Sequence, residues 1–421
     1  MLVEQPVAGN RRETGILPLA AAFLRLGLSS FSLAVLNEAR RQFVERRGWL
    51  TLEEYLDGVA MAQLLPGAPA LNLVSWLGHR LRGPAGSFTA AVSFLLPGFT
   101  AMVGLTELYL AYGTLTVVRS VLLGMGALVT GLLTDTIINL WLDGINTPSL
   151  VLLAVFGFAA VSWSGTAVVL SLAAAVAAST FLTFLSRRWP AWSRYLDRPF
   201  RPERTPAARK GPPDGAFDWH GLAHSLLWLG LLLGVDLWLT SRVQLYRQLG
   251  LSLFRIGALT FGTGYAMLPF IRATVVARYH WLSGPQFNTA LAFSLMTPGP
   301  VTIISAFIGM KTAGLSGAAL AAANTYLPSF GLVNLMASLY RYIQRVEWLR
   351  TVIKGMVAVF VGSLGSIIIG LAGSSLHGPD TWALAAGAFL ARRFTKWDTV
   401  WIILAGASVS ALWFGLARPW G

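Results

Sequence analysis

Two short segments carry the clearest chemical signal in this chain. One reads Ala62-Gln63-Leu64-Leu65-Pro66-Gly67-Ala68-Pro69 and the other Ser294-Leu295-Met296-Thr297-Pro298-Gly299-Pro300, each in apolar surroundings. Proline has no N–H and cannot lie inside a helix without kinking or ending it. Backbone broken within a membrane survives only where protein buries it or where it lines a polar cavity. A helix that starts after such a break turns unpaired N–H groups and its positive dipole end toward the gap, which suits an anion. A packing kink is the competing reading. Two breaks at matching positions favour a binding site.

A second matched pair is Arg25 and Arg255. Each stands two residues before a glycine (Gly27, Gly257) and six before a phenylalanine (Phe31, Phe261). An arginine within an apolar segment is costly and marks a functional position by default. Its planar fork matches a tetrahedral oxyanion; snorkelling at a helix end is the alternative. Just beyond lie Ser32 in one copy and Gly262-Thr263-Gly264 in the other. Small residues there allow a ligand, or a packed helix, to approach the backbone closely.

Asp135 lies in the apolar run 121–141, and Ser366 occupies the matching place later in the chain. An acid at that depth either carries a coupling proton or pairs with an arginine. Glu53, Glu54 and Asp57 precede the first break and read as acids at a helix start. Arg80, Arg82 and Lys311 read as interfacial anchors beside glycine turns. His220 and His224 are four apart without a third ligand, so neither a metal nor a cofactor is expected.

These groups need elements to hold them. The 421 residues are 55% hydrophobic and 12% charged, with a mean hydropathy of +0.62; a soluble domain carries about 25% charge. Apolar stretches at 115–141, 150–163, 167–185 and 222–239 approach or exceed the ~20 residues of a bilayer-spanning helix. Continuous apolar runs exclude an alternating barrel, and the composition excludes a soluble enzyme or a disordered chain. The expected class is an all-α polytopic membrane protein. The 32 Lys and Arg against 18 Asp and Glu give a net charge of +14. They lie mainly between apolar segments, as topology anchors do, so no nucleic-acid partner is expected. There is no cysteine, hence no disulfide or thiol chemistry.

The chain is also duplicated. Residues 23–31 align with 253–261 at an offset of 230, and Trp49-Leu50 with Trp281-Leu282 at 232. At 231, Gly78, Gly83, Gly86, Pro97 and Phe99 meet Gly309, Gly314, Gly317, Pro328 and Phe330. The expected organisation is a cytoplasmic tail (1–15) without a cleavable leader, a first transmembrane repeat (16–186), a basic cytoplasmic linker (187–219), an extra span (220–241) and a second repeat (242–421). The linker holds eight basic residues and six prolines, with lipid binding as its other reading. The extra span would start the second copy from the opposite side, giving the inverted repeat of many secondary transporters. Arg40, Arg41, Arg46 and Arg47 sit at places related to Arg272 and Arg278, so under inversion one cluster breaks the charge rule.

On these residues the sequence resembles the chromate ion transporter family. The resemblance is carried by FLRLGLSSF (23–31), FVERRGWL (43–50), AQLLPG (62–67), FLLPGF (94–99), FGTGY (261–265) and TPGPV (297–301), together with the duplication. It implies a multi-pass plasma-membrane carrier of two homologous, oppositely oriented domains, associated with chromate efflux and resistance and with sulfate as a related anion. Phe31-Ser32-Leu33-Ala34 stands where the family has Phe-Gly-Gly-Pro. Ala68 replaces the second proline of a Pro-Gly-Pro, Asn72 a glutamine, and Thr263 a glycine. The expected substrate site is Arg25, Ser32, Pro66, Gly67 and Asn72 with Arg255, Gly262, Gly264, Thr297, Pro298, Gly299 and Pro300. Asp135 is the coupling candidate. No phosphate-binding loop of the G-x-x-x-x-G-K-[ST] type occurs, so an ion gradient or exchange would supply energy. Expected partners are a small inorganic oxyanion and membrane lipids, with a homodimer left open. A passive anion channel, or a carrier of another anion, is the alternative on this scaffold. A membrane enzyme would need clustered catalytic groups that the sequence lacks.

Overall fold

The structure, a computed structural model, describes residues 15–29, 34–163, 173–174, 176–178, 180, 219–241, 243–343, 347–395 and 397–414, and they contain helices and no strand. Ser32, almost all of the 187–219 linker and most of the 167–185 stretch lie outside the described residues.

The chain starts with α1 (Ile16–Ser29) and α2 (Ala34–Arg40), which runs into a π turn (Arg41–Arg46). Next come α3 (Leu52–Leu64), α4 (Pro69–Tyr112), α5 (Thr116–Gly144) and α6 (Pro148–Trp163). After the extra apolar helix α7 (Trp219–Ser241), the series recurs. Its members are α8 (Gln244–Leu259), α9 (Leu268–Arg272) with a π turn (Ala273–Arg278), α10 (Gly284–Met296), α11 (Ile304–Ile343), α12 (Glu347–Ser375) and α13 (Pro379–Phe394); α14 (Thr399–Leu412) follows. The duplication reaches the residue level. Helices α5 and α12 have 29 residues each and α6 and α13 have 16 each, all starting 231 apart. Both α3 and α10 have 13 residues and open on a capping pair, Thr51 with Glu54 and Ser283 with Gln286, which satisfies amides at the helix start. The acid at Glu54 therefore caps, as its position predicts, and also pairs with Arg80 at 2.6 Å.

Helices α4 and α11 each contain a reversal. Backbone at Arg82–Gly83 and at Ala313–Gly314 leaves the helical region, with Gly83 at φ +61° and Gly314 at φ +67°. Ala90 Cβ then lies beside Gly78, although 12 residues of straight helix span about 18 Å. The arms fold back on one another at Gly78 and Gly86, and identically at Gly309 and Gly317. The first arm after each break is consequently a short half-helix.

Five described helices are long and apolar enough to cross a membrane: Pro69–Tyr112, Val118–Gly144, Gly221–Ser241, Val301–Ala337 and Val352–Ser375. The protein is a multi-pass helical membrane protein.

Two compact units emerge, each drawing on both repeats. The first comprises Met1–Val103, Gly211–Gly264 and Thr297–Arg345; the second comprises Gly104–Lys210, Tyr265–Met296 and Val346–Gly421. Inside the first, α1 meets α4 where Gly27 faces the Phe94 carbonyl, and α8 meets α11 where Gly257 faces that of Thr325. Buried Phe23, Phe43 and Phe94 fill its core. Inside the second, Gly131 of α5 abuts the Ala385 carbonyl of α13, and Gly362 of α12 abuts that of Ala154 in α6. Adding 231 to 131 and 154 gives 362 and 385, so these two crossings are one contact made twice. Small residues at each crossing let backbones approach where dispersion and close packing hold helices together.

Candidate functional site

The first break forms because Pro66 offers no N–H and Pro69 sets φ at the first position of α4. Leu65 is extended (φ −88°, ψ 147°) and Gly67 takes φ +106°. Asn72, fully buried one turn into α4, points its amide back across the gap. Its Nδ2 donates to the carbonyls of Ala62 (3.2 Å), Leu65 (3.3 Å) and Pro66 (3.2 Å). These are orphan acceptors at the C-terminus of α3, so one side chain ties the two half-helices together. The Gly67 N–H donates to the Thr260 carbonyl at 2.7 Å, and the Ala68 N–H to Ser329 Oγ at 3.2 Å. A Cβ at Gly67 would overlap that same hydroxyl, so glycine is required by both conformation and space. The Ala70 and Leu71 amides in the first turn of α4 have no acceptor among the described residues.

The second break repeats the design with different chemistry. Thr297 is buried, Gly299 takes φ +101°, and Pro300 is extended before a 3-10 turn (Val301–Ile303) leads into α11. The Thr302 hydroxyl shares a hydrogen bond of 2.9 Å with Tyr326, both buried. The amides of Val301 and Thr302 have no acceptor among the described residues. Although Gly299 is buried, a Cβ there would meet no atom of the described residues within 4 Å. A Cβ at Gly98 would strike the Pro298 carbonyl. Gly98 and Ser329, which are 231 apart, each abut the break contributed by the other repeat. The first unit thus joins the two breaks reciprocally, as an isologous pair does.

The remaining expected residues fall in two groups. Gly262 (φ +93°) and Gly264 are half-buried on the segment that receives the first break, and a Cβ at Gly264 would meet only Thr302 Cγ2, at 3.8 Å, among the described residues. Arg25 and Arg255 are exposed on α1 and α8. They lie two residues, about 200° around a helix, from Gly27 and Gly257, opposite the faces that pack on α4 and α11. Neither forms an ion pair among the described residues. Burial first, and then the nearby Arg25 charge, lower the Arg47 guanidinium below its usual value, so the surroundings of Arg25 are basic.

Asp135 is 3% exposed in the second unit. Its Oδ1 is 3.5 Å from Arg393 Nη1, its Oδ2 accepts from Asn139 at 3.0 Å, and Arg393 donates to Asn139 Oδ1 at 2.6 Å. Asp135 therefore pairs with an arginine, one of its two readings. Arg272 is half-buried against Gly370 of α12, its Nε buried without a hydrogen-bond partner among the described residues. The second unit also holds an apolar cleft of about 460 Å³ lined by Leu128, Leu384, Ala388, Ile402 and Trp413, a lining unsuited to an anion. No group of three metal-ligating side chains occurs among the described residues.

Sequence reasoning missed Thr260, Ser329, Gly98, Thr302 and Tyr326. Gly98 and Ser329 each follow one of the matched prolines, Pro97 and Pro328, which was their available signal; Thr260, Thr302 and Tyr326 carried none.

Residues 17–180 and 247–411 match a protein family described as "Chromate transporter". A chromate transport protein of Cupriavidus metallidurans is 32% identical over 406 residues, covering 94% of this chain and 92% of that protein. A probable chromate transport protein of Synechococcus elongatus is 28% identical over 88% of each chain. A chromate transport protein of Pseudomonas aeruginosa is 26% identical, covering 94% of this chain and 92% of its own length. No solved structure matches.

Proposed function

The chain belongs to the chromate transporter family, and on that premise we propose that it is a secondary transporter that moves a tetrahedral oxyanion across the plasma membrane by alternating access. Chromate is the substrate, with sulfate accepted for its equal charge and shape, and efflux is the direction. The chain is a transporter and not an enzyme.

The reading rests chiefly on the reciprocal breaks. Two half-helices begin inside one unit with their first amides free among the described residues, at Ala70 and Leu71 and at Val301 and Thr302. A dianion between them would receive N–H donors and two positive dipole ends, while the empty space beside Gly299 admits an oxygen atom. Arg25 and Arg255, matched and without acidic partners among the described residues, add positive potential that draws the anion in. Inverted orientation of the repeats would let the breaks open to alternate sides in turn.

Binding tests the assignment. Calorimetric titration of the purified protein with sulfate and with chromate should give saturable binding. The substitutions Arg25→Gln and Arg255→Gln should each weaken it by about 5- to 30-fold, the worth of 1–2 kcal/mol. Unchanged affinity in both variants would remove the arginines from the site, and no binding of either dianion would sink the oxyanion reading.

A further inference from the structure

We propose that Asp236 of α7 is the proton-carrying carboxylate of this transporter; the inference rests on the transport reading above and says what drives it. Asp236 is the one carboxylate in the apolar sequence of α7, and it is half-buried. Its Oδ1 accepts a 2.6 Å hydrogen bond from Asn324 Nδ2 of α11. Asn324 is 1% exposed and also donates to the Leu320 carbonyl at 3.1 Å, so the amide is fixed in place. The Thr240 hydroxyl donates to the Asp236 main-chain carbonyl at 2.8 Å, leaving the carboxyl to Asn324.

The groups around it are the important part. Helix α7 packs on α8 and α11, and its Trp228 meets Phe88 of the α4 arm that carries no titratable residue from Pro84 to Thr106. On α7 the titratable residues are His220 and His224, three turns or more away; α8 carries Tyr246, Arg247 and Arg255; the α11 arm that bears Asn324 carries Tyr326 and, more than four turns beyond Asn324, Tyr340, Arg341 and Tyr342, and Lys311 lies before the reversal at Ala313–Gly314. Tyr246 is bonded to Ser316 and Tyr326 to Thr302, and no cation forms an ion pair with Asp236 among the described residues. An intramembrane acid held by a neutral amide differs in kind from one held by a cation. With Oδ1 accepting from Asn324 in both states, Oδ2 gains or loses a proton without stranding a partner charge. Protonating Asp135 would strand Arg393, which suits a structural brace. The step balances simply: one proton passes from water on one side to the carboxylate, changing its charge from −1 to 0, and returns to water on the other.

The position also reaches the breaks. Asn324 shares the α11 arm with Tyr326, which holds Thr302 at the second break, and with Ser329, which holds Ala68 at the first. A change in the pull of Asp236 on Asn324 acts on the helix that both breaks lean on.

Two measurements test this on the full-length protein in lipid. In proteoliposomes, wild type should accumulate chromate under an imposed pH gradient. Asp236→Asn, which keeps a hydrogen-bonding side chain, should retain chromate–sulfate counterflow and lose gradient-driven accumulation by about tenfold or more. Full gradient-driven accumulation by the variant would overturn the proposal. Infrared spectroscopy in nanodiscs reads the site without any substrate: a protonated-carboxyl C=O band that titrates with pH should vanish in Asp236→Asn. No such band would overturn the proposal even where chromate moves. If wild type shows the band but no counterflow, the proton site stands and the transport reading falls.

Discussion

At Asn72 a single amide meets three carbonyls that the end of α3 would otherwise leave bare. Replacing it with alanine strands those buried acceptors, at a cost of about 1–3 kcal/mol. Thermal unfolding of Asn72→Ala in detergent should show the loss, and Asn72→Gln should recover part of it. Arg393 makes a second case. Arg393→Gln leaves the Asp135 carboxylate buried beside Asn139 alone, so the variant should lose about 1–3 kcal/mol, and adding Asp135→Asn should restore most of it. If the double variant is no more stable than the single one, the pair is not bracing the second unit. Neither partnership was readable from sequence. Arg393 lies 258 residues beyond Asp135, and hydrogen bonds of such separation leave no local pattern. Asn72 was visible only through the family resemblance, while Arg25 and Arg255, the most conspicuous residues in the sequence, stand on exposed faces.

At the scale of elements, proline and glycine chemistry was readable because it is local. Pro66-Gly67 and Pro298-Gly299 end α3 and α10 where their missing donors and positive φ demand. The matched glycines at 78, 83 and 86 were readable as turns in a duplicated chain; the close packing of the two α4 arms at Gly78 and Gly86 was not. Two glycines with positive φ separate strain from collision. A Cβ at Gly83 would meet nothing within 4 Å, so Gly83→Ala should cost only the left-handed strain of about 1–2 kcal/mol. Gly67→Ala adds overlap with Ser329 and should abolish transport or folding. Coupling it with Ser329→Gly removes the collision and should return part of the folded yield, measured by size-exclusion chromatography. Equal yields from Gly67→Ala and the double variant would mean that the Gly67–Ser329 contact does not hold the break.

For the whole molecule, periodicity gave the duplication at 231 residues, and helices α5 and α12 confirm it in length and position. The gathering of both repeats into each compact unit was not readable, because crossings such as Gly131 with Ala385 are set by packing between distant helices. Inverted orientation makes its own prediction. Asn146, between α5 and α6, and His377, between α12 and α13, are equivalent exposed loop positions. The chain has no cysteine to remove. Asn146→Cys and His377→Cys should therefore react with an impermeant thiol reagent from opposite sides of the membrane; labelling from one side would mean parallel repeats. Chromate counterflow bears most directly on the function. With no pH gradient imposed, proteoliposomes loaded with sulfate should take up external chromate saturably and several-fold faster than empty ones, and not when Gly67→Ala replaces the wild type. Entry that is linear in chromate and indifferent to internal sulfate, or no entry through folded protein, would contradict an oxyanion carrier built on the two breaks.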